Sequence, residues 1–263
     1  MVVFGLVLIF MIYPLMVRGQ SNRMRNFKHF RYAHRGLHRN GIPENSMRGF
    51  RDAMNKGYGI ELDVHLISDG GLVVIHDNTL NRTTGVDRTV SKLTVDELSN
   101  IFLEGSSERL PQLYDVLNLV KGRVPLIIEL KTENRNITPL CRAVCRELQG
   151  YNGDFCIQSF DPRCLIWFKK NQPDIIRGQL AKNFTKDKKL LPVLAFFITF
   201  LITNFITKPD FVAYNYNDRD NISFRIFRNL WKQQGIVWTI KDKPTLEEAE
   251  KKGMIVIFEN FQP

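Results

Sequence analysis

Cysteine is scarce in this chain, with four among 263 residues, at positions 141, 145, 156 and 164. Cys141 and Cys145 stand four apart where helical spacing is expected, a separation that defines no metal site on its own, and zinc-finger spacing is absent. So few unpatterned thiols fit reduced, mostly buried side chains in a cytoplasmic domain. A basic arm with interleaved aromatics is missing too. Nucleic acid is therefore the least suited anionic partner for a net charge of +10, behind phosphate substrates and anionic lipid headgroups. No internal repeat is visible, and no feature calls for an obligate protein partner. Charge is absent altogether from residues 1–17, MVVFGLVLIFMIYPLMV, and from residues 190–206, LLPVLAFFITFLITNFI.

The first of these runs lacks the preceding positive charge and the small-residue cleavage site of a secretory signal. Arg18, Arg23, Arg25, Lys28 and Arg31 follow it, and the positive-inside rule then places the rest of the chain in the cytoplasm. The run is at the short end for a span, and Pro14 weakens it. The expectation is an uncleaved transmembrane anchor over 1–17, a basic linker over 18–30, and a membrane-anchored protein whose catalytic domain is cytoplasmic.

Beyond residue 30, apolar strand-like runs alternate with amphipathic helical ones. Strands are expected at Arg31–His34, Gly59–His65, Leu72–His76, Pro125–Lys131 and Phe155–Ser159. Four more are expected at Ile175–Leu180, Asp210–Tyr214, Ile236–Ile240 and Met254–Phe258. Helical spacing fills most gaps, and Thr94 with Glu97 forms a capping-box signature. The alternation implies a parallel sheet. Nine strands, two of them a hairpin, predict an α/β fold: a TIM-type (β/α)8 barrel over 31–263 with one extra antiparallel strand. A doubly wound open sheet is the alternative.

Residues 59–77, GIELDVHLISDGGLVVIHD, carry the chemistry. Glu61, Asp63 and His65 share one face of an apolar run. Ser-Asp-Gly-Gly at 68–71 reads as a tight turn; pairing Ile67 with Leu72 sets Asp63 opposite His76, on the same side. Burying unpaired charge is costly, so that side is expected to be functional. Two carboxylates two apart suit a hard cation such as Mg2+ or Ca2+. Glu129, in PLIIELK, ends another strand with Lys131 on its face. In YAHRG, Arg35 is a bidentate donor suited to phosphate, and Gly36 lets the backbone turn close to a ligand. His34 and His76 are suited to acid–base work near neutral pH.

A set of segments resembles the glycerophosphodiester phosphodiesterase family. They are AHRG (33–36), PENS (43–46), ELDVHLISDG (61–70), VVIHDNTLNRTT (73–84), RLPQL (109–113), IIELK (127–131), QSFD (158–161), VWTI (237–240) and FENFQP (258–263). The resemblance implies a barrel that hydrolyses glycerophosphodiesters to glycerol 3-phosphate and an alcohol with a divalent metal ion. It implies metal ligation by Glu61, Asp63 and Glu129, and an acid–base pair of His34 and His76, in either order. It further implies phosphate contacts from Arg35 and Lys131, with Glu44 and Asn45 beside metal and substrate. The chemistry agrees, because an anionic ester needs its developing negative charge neutralised, and its own glycerol hydroxyl is a nucleophile already in place.

There are departures from the family pattern. Ser46 stands where Thr is usual, and Glu259 where Asp or Ser is expected. His65 is read as a substrate contact or an extra ligand. Trp238 is read as a pocket wall or as a core residue with a bonded indole. Within the fold, the alternative function is a lysophospholipase D or a phosphodiesterase acting on membrane glycerophospholipid or glycerophosphate polymer. Outside it, the alternative is a catalytically dead barrel used as a membrane-bound binding module, against which the complete acid–base set argues. Hydropathy alone makes 190–206 a span, yet a span would put the strands after Asp210 across the bilayer from Glu61. The expectation is instead a membrane-dipping insertion over 185–208, with Lys182, Lys186, Lys188, Lys189 and Lys208 at the headgroups.

Overall fold

A computed structural model describes residues 12–20, 23–39, 41–133, 136–185 and 191–263. Most of the expected anchor, Lys186, Lys188 and Lys189 lie outside the described residues. Eight parallel strands run in the order β1 (Tyr32–Ala33), β2 (Gly59–Leu66), β4 (Leu126–Leu130), β5 (Phe155–Ser159), β6 (Arg177–Ala181), β7 (Phe211–Asn215), β8 (Gln234–Ile240) and β9 (Ile255–Phe258). β1 pairs with both β2 and β9, which closes the sheet into a barrel and excludes the open doubly wound arrangement. β3 (Leu72–Val74) lies antiparallel on β2, outside the closed ring.

Alternation along each strand separates two cores. Outward side chains such as Ile60, Leu62, Val64 and Ile128 meet the helices. Inward ones, including Tyr32, Ile127, Cys156, Phe211 and Ile255, fill the barrel interior. Met24 and Phe27, from the segment before β1, belong to this interior core and are buried in it. Gly178 leaves room for Phe211: a Cβ there would stand 2.1 Å from its ring.

Helices surround the strands where the spacing expects them. Ser46 caps Met47–Asn55, its hydroxyl accepting from the Gly49 N–H at 3.1 Å. The capping box is present, with the Thr94 N–H donating to Glu97 at 2.9 Å. Before β8 the helix changes character: Ile222–Arg225 is α-helical, and Ile226–Leu230 continues with the wider π-helical turn. Residues 12–17 are helical and pack alongside this stretch, where the Trp231 indole N–H donates to the Pro14 carbonyl at 2.7 Å.

One expectation needs correction. The hairpin register is Leu66↔Leu72, His65↔Val73 and Val64↔Val74, one residue away from the pairing read off the turn. The chain turns over 67–71, where the Ile67 N–H donates to Gly71 and the Gly70 N–H to Ile67, with Gly70 at φ +91°. Five residues lie between the paired ends Leu66 and Leu72 where four were expected, so the register slips by one. His76 lies past the end of this ladder rather than paired with Asp63. The apolar run after Lys189 is broken in the middle. It forms two short helices, Pro192–Thr199 and Asn204–Thr207, separated near Leu201 at φ +54°. This segment is itself the β6–β7 crossover, with Ala195, Ile198, Leu201 and Asn204 buried against the barrel. Among the described residues no helix is long and apolar enough to cross a membrane.

Candidate active site

Glu61, Asp63 and His65 project from alternate positions of β2 and are each 1% exposed. On the neighbouring strand, Glu129 is in register with Asp63. One oxygen each from Glu61, Asp63 and Glu129 lies within 4.8 Å of the others. Burial pushes the Glu61 and Glu129 carboxyls up, and the neighbouring carboxylates add to that shift. Burial works the same way on Asp63, but the Lys131 and Arg35 charges outweigh it and hold Asp63 low. Lys131 Nζ is 2.6 Å from Glu129 and 3.0 Å from Asp63. Arg35 Nε is 3.4 Å from Asp63, and Arg35 Nη1 donates to Glu44 at 3.0 Å.

The residues fit a hard cation. Asn45 donates its amide N–H to Asp63 at 2.9 Å, and Gln158 donates to Glu61 at 3.2 Å. The other end of each amide, Asn45 Oδ1 and Gln158 Oε1, is buried without a hydrogen-bond donor. Three close carboxylates beside two undonated amide oxygens make an oxygen-only set, the donor type that Mg2+ and Ca2+ prefer. Backbone shape brings Arg35 and Asn45 to this point. Both have left-handed φ, +55° and +53°, and the Asn45 N–H donates to the Arg35 carbonyl at 2.8 Å.

His34 and His76 reach the same cavity from β1 and from the loop after β3. Its volume is about 190 Å³, and His34, Arg35, His76, Lys131, Phe160 and Trp238 are among the residues that line it. Each imidazole has a carboxylate behind it: His34 Nδ1 is 2.6 Å from Glu259, and His76 Nδ1 is 2.6 Å from Asp77. Burial lowers both imidazole pKa values. A larger cleft of about 640 Å³, beside Lys28, Arg31 and Gly253, holds no comparable set of acids and imidazoles, so size does not identify the site.

Both ring nitrogens of His65 face protein partners. Its Nε2 is 3.2 Å from the His76 carbonyl and its Nδ1 is 3.1 Å from Glu133, so it holds the His76 backbone from behind. Both readings of Trp238 hold at once: it walls the cavity, and its indole N–H donates to the Ala213 carbonyl at 3.2 Å. Several contributors were given no role by the sequence reading. Gln158 and Glu259 sit at or just after strand ends on the mouth side, which is a signal that could have found them. Arg82, which bridges Glu44 and Asp77, comes from the short helix Asn81–Thr84 and offered no such signal.

A family model described as the glycerophosphoryl diester phosphodiesterase family matches residues 34–258. The chain belongs to this family. Among curated members, it is 37% identical over 158 residues to a glycerophosphodiester phosphodiesterase of Caldanaerobacter subterraneus, covering 56% of this chain and 65% of that protein. It is 41% identical over 110 residues to one of Bacillus altitudinis, covering 39% of this chain and 44% of that protein. The chain thus spans less than two thirds of the length of these relatives. A phosphodiesterase of Oleispira antarctica, solved with the product sn-glycerol-3-phosphate, shares the barrel fold with a TM-score of 0.73 at 21% identity, covering 88% of this chain and 92% of that one.

Proposed function

We propose that this phosphodiesterase-family barrel hydrolyses glycerophosphodiesters to glycerol 3-phosphate and an alcohol. The observation that carries the reading is the meeting of three carboxylates, two fixed cations and two carboxylate-backed imidazoles at one barrel mouth. Glu61, Asp63 and Glu129 would hold a divalent ion, Mg2+ or Ca2+, which supplies positive charge to the phosphate when bound. Arg35 and Lys131 bind the remaining phosphate oxygens, with Glu44 and Asn45 fixing Arg35 and Asp63. The glycerol hydroxyl next to phosphorus attacks, forming a cyclic phosphate as the bond to the leaving alcohol breaks. One imidazole of the His34–His76 pair takes the hydroxyl proton while the other protonates the departing oxygen. Water then opens the ring with the two roles reversed. Purified protein assayed against a panel of glycerophosphodiesters, with divalent ions and with excess chelator, tests this. Metal-dependent release of glycerol 3-phosphate is expected, and full activity in chelator after exhaustive dialysis would remove the metal.

A second part of the proposal is membrane attachment: residues 1–17 as anchor, the barrel on the cytoplasmic side, and 185–208 dipping into the adjoining leaflet. What supports it is surface chemistry. Leu191 is 75% exposed and Val193 69%, with Leu194, Phe196, Phe197, Phe205 and Ile206 also exposed on the crossover. Ile12 and Leu15 are exposed on the adjacent helical segment, which is joined to the crossover where Asn204 donates to the Val17 carbonyl at 3.0 Å. Lys182 and Lys208 flank the patch, as cations do at a headgroup layer.

Lysophospholipase D activity is the second reading, and one observation favours it. Trp238, in the cavity wall, packs edge-on against Phe160, and Phe160 packs edge-on against Phe184. Phe184 clusters with Ala195 and Ile198 of the crossover. A continuous row of apolar contacts thus joins the cavity wall to the crossover that carries the exposed patch, an apolar side suited to a leaving group that carries an acyl chain. Including lysophospholipids in the same panel decides between soluble and amphiphilic substrates.

A further inference from the structure

Glu259 follows β9 directly, and three side chains from three places converge on its carboxylate. His34 Nδ1 is 2.6 Å from Oε2, Lys241 Nζ is 3.1 Å from Oε1, and His38 Nε2 is 3.9 Å from Oε2, beyond hydrogen-bond reach. Main-chain bonds fix both ends of the closest pair. The Glu259 N–H donates to Ile240 at 2.9 Å, and the His34 N–H donates to Phe258, one residue before Glu259, also at 2.9 Å. Neither side chain can drift without disturbing the closing strands of the barrel.

A carboxylate only accepts hydrogen bonds, so the hydrogen of a neutral His34 imidazole sits on Nδ1, facing Glu259. Nε2 is then the bare nitrogen, free to face the cavity that His34 lines. We infer that Glu259 is a positioning residue for turnover: it fixes the tautomer and the ring plane of His34, and Lys241 holds the Glu259 carboxylate in place. The inference rests on His34 serving in the hydrolysis proposed above. The mouth is built the same way on its other side, where Asp77 backs His76 at 2.6 Å and Arg82 Nε donates to Asp77 at 2.6 Å. Each imidazole thus has an acid behind it, and each acid has a cation behind it. One nitrogen or oxygen from each of His34, His38 and Glu259 also falls within 4.8 Å of the others, a spacing that a metal ion can use. The Lys241 ammonium already balances the Glu259 charge, which favours orientation over ligation.

The test is a double-mutant cycle on one glycerophosphodiester, measuring kcat and KM for the wild type, His34→Ala, Glu259→Ala and the double variant. Glu259→Ala should lower kcat ~10–10⁴-fold with little change in KM, the range spanned when the partner orienting a histidine is removed. Glu259→Asp should recover part of that loss. Because Glu259 acts through His34, the double variant should be no slower than His34→Ala alone. A folded Glu259→Ala enzyme with wild-type kcat, beside a slow His34→Ala, would overturn the inference and leave the proposed hydrolysis standing. Losses that multiply in the double variant would overturn it too, as would a lower stoichiometry of bound divalent metal in Glu259→Ala by calorimetry. Normal turnover by His34→Ala would remove His34 from the reaction and the inference with it, an outcome recognisable without any change at Glu259.

Discussion

His34→Ala and His76→Ala should each slow turnover ~10²–10⁴-fold with an unchanged fold, since each removes a proton-transfer group from the cavity. Steady-state kinetics beside circular dichroism check this, and near-wild-type turnover in either variant removes that histidine from the mechanism. The pH profile follows from burial, which lowers both imidazole pKa values. A lowered pKa keeps the base neutral further into acid, so the acid limb of kcat/KM should fall below the ~6.5 of an ordinary histidine. A limb above about 7 contradicts that. Glu61→Gln, Asp63→Asn and Glu129→Gln should each weaken divalent-metal binding by calorimetry, since each replaces a charged oxygen with a neutral one. These residues were legible in the chain because acids and imidazoles at apolar strand ends are costly without a purpose. The partners of His65 were not legible, because period two shows which face a side chain takes but not what it meets there. The His65 contact to the His76 carbonyl appears only once the hairpin is folded.

At the scale of elements, strand existence was legible and register was not. Each expected strand is present, with ends shifted by a residue or two, because buried parallel strands read as plain apolar runs. The hairpin slipped by one because Ser-Asp-Gly-Gly marks a turn without stating its width. The stretch between β3 and β4 also builds a satellite core from Ile75, Leu80, Leu93 and Leu110, among others, which backs the loop carrying His76. Its contacts join positions far apart in the chain, so no local period announces it. The crossover at Pro192–Thr199 looked apolar on all sides, yet only part of it is buried. Single cysteines at Thr185 and Lys208, in a cysteine-free background, should react with an impermeant reagent from the same side of sealed membranes. Labelling from opposite sides would mean a true span, and the crossover could then not belong to one barrel.

For the whole molecule, closure depends on the ends of the chain meeting across β1 and β9, and a buried charge cluster ties the leading segment in place. Arg23 makes two bonds to Asp210, at 2.7 and 2.8 Å, and Asp210 also accepts from the buried Arg177 backbone N–H at 3.0 Å. Asp210→Ala removes the acceptor of the buried Arg177 N–H and the carboxylate partner of Arg23, which keeps its bonds to the Pro173, Asp174 and Ile175 carbonyls, and should destabilise the fold by about 3 kcal/mol. Urea unfolding followed by tryptophan fluorescence measures it, and an unchanged midpoint would contradict the assignment. The alternation of strands and helices made the barrel legible, whereas this cluster joins residues too distant in sequence to be paired by inspection. The central claim is that the mouth of this barrel cleaves a glycerophosphodiester with metal and histidine together. Phosphorus NMR of purified protein with such a substrate tests it most directly. The diester resonance should be replaced by that of glycerol 3-phosphate with Mg2+ or Ca2+ present, and should persist with chelator or in the His34→Ala/His76→Ala double variant. Conversion at the same rate in all of these samples would contradict it.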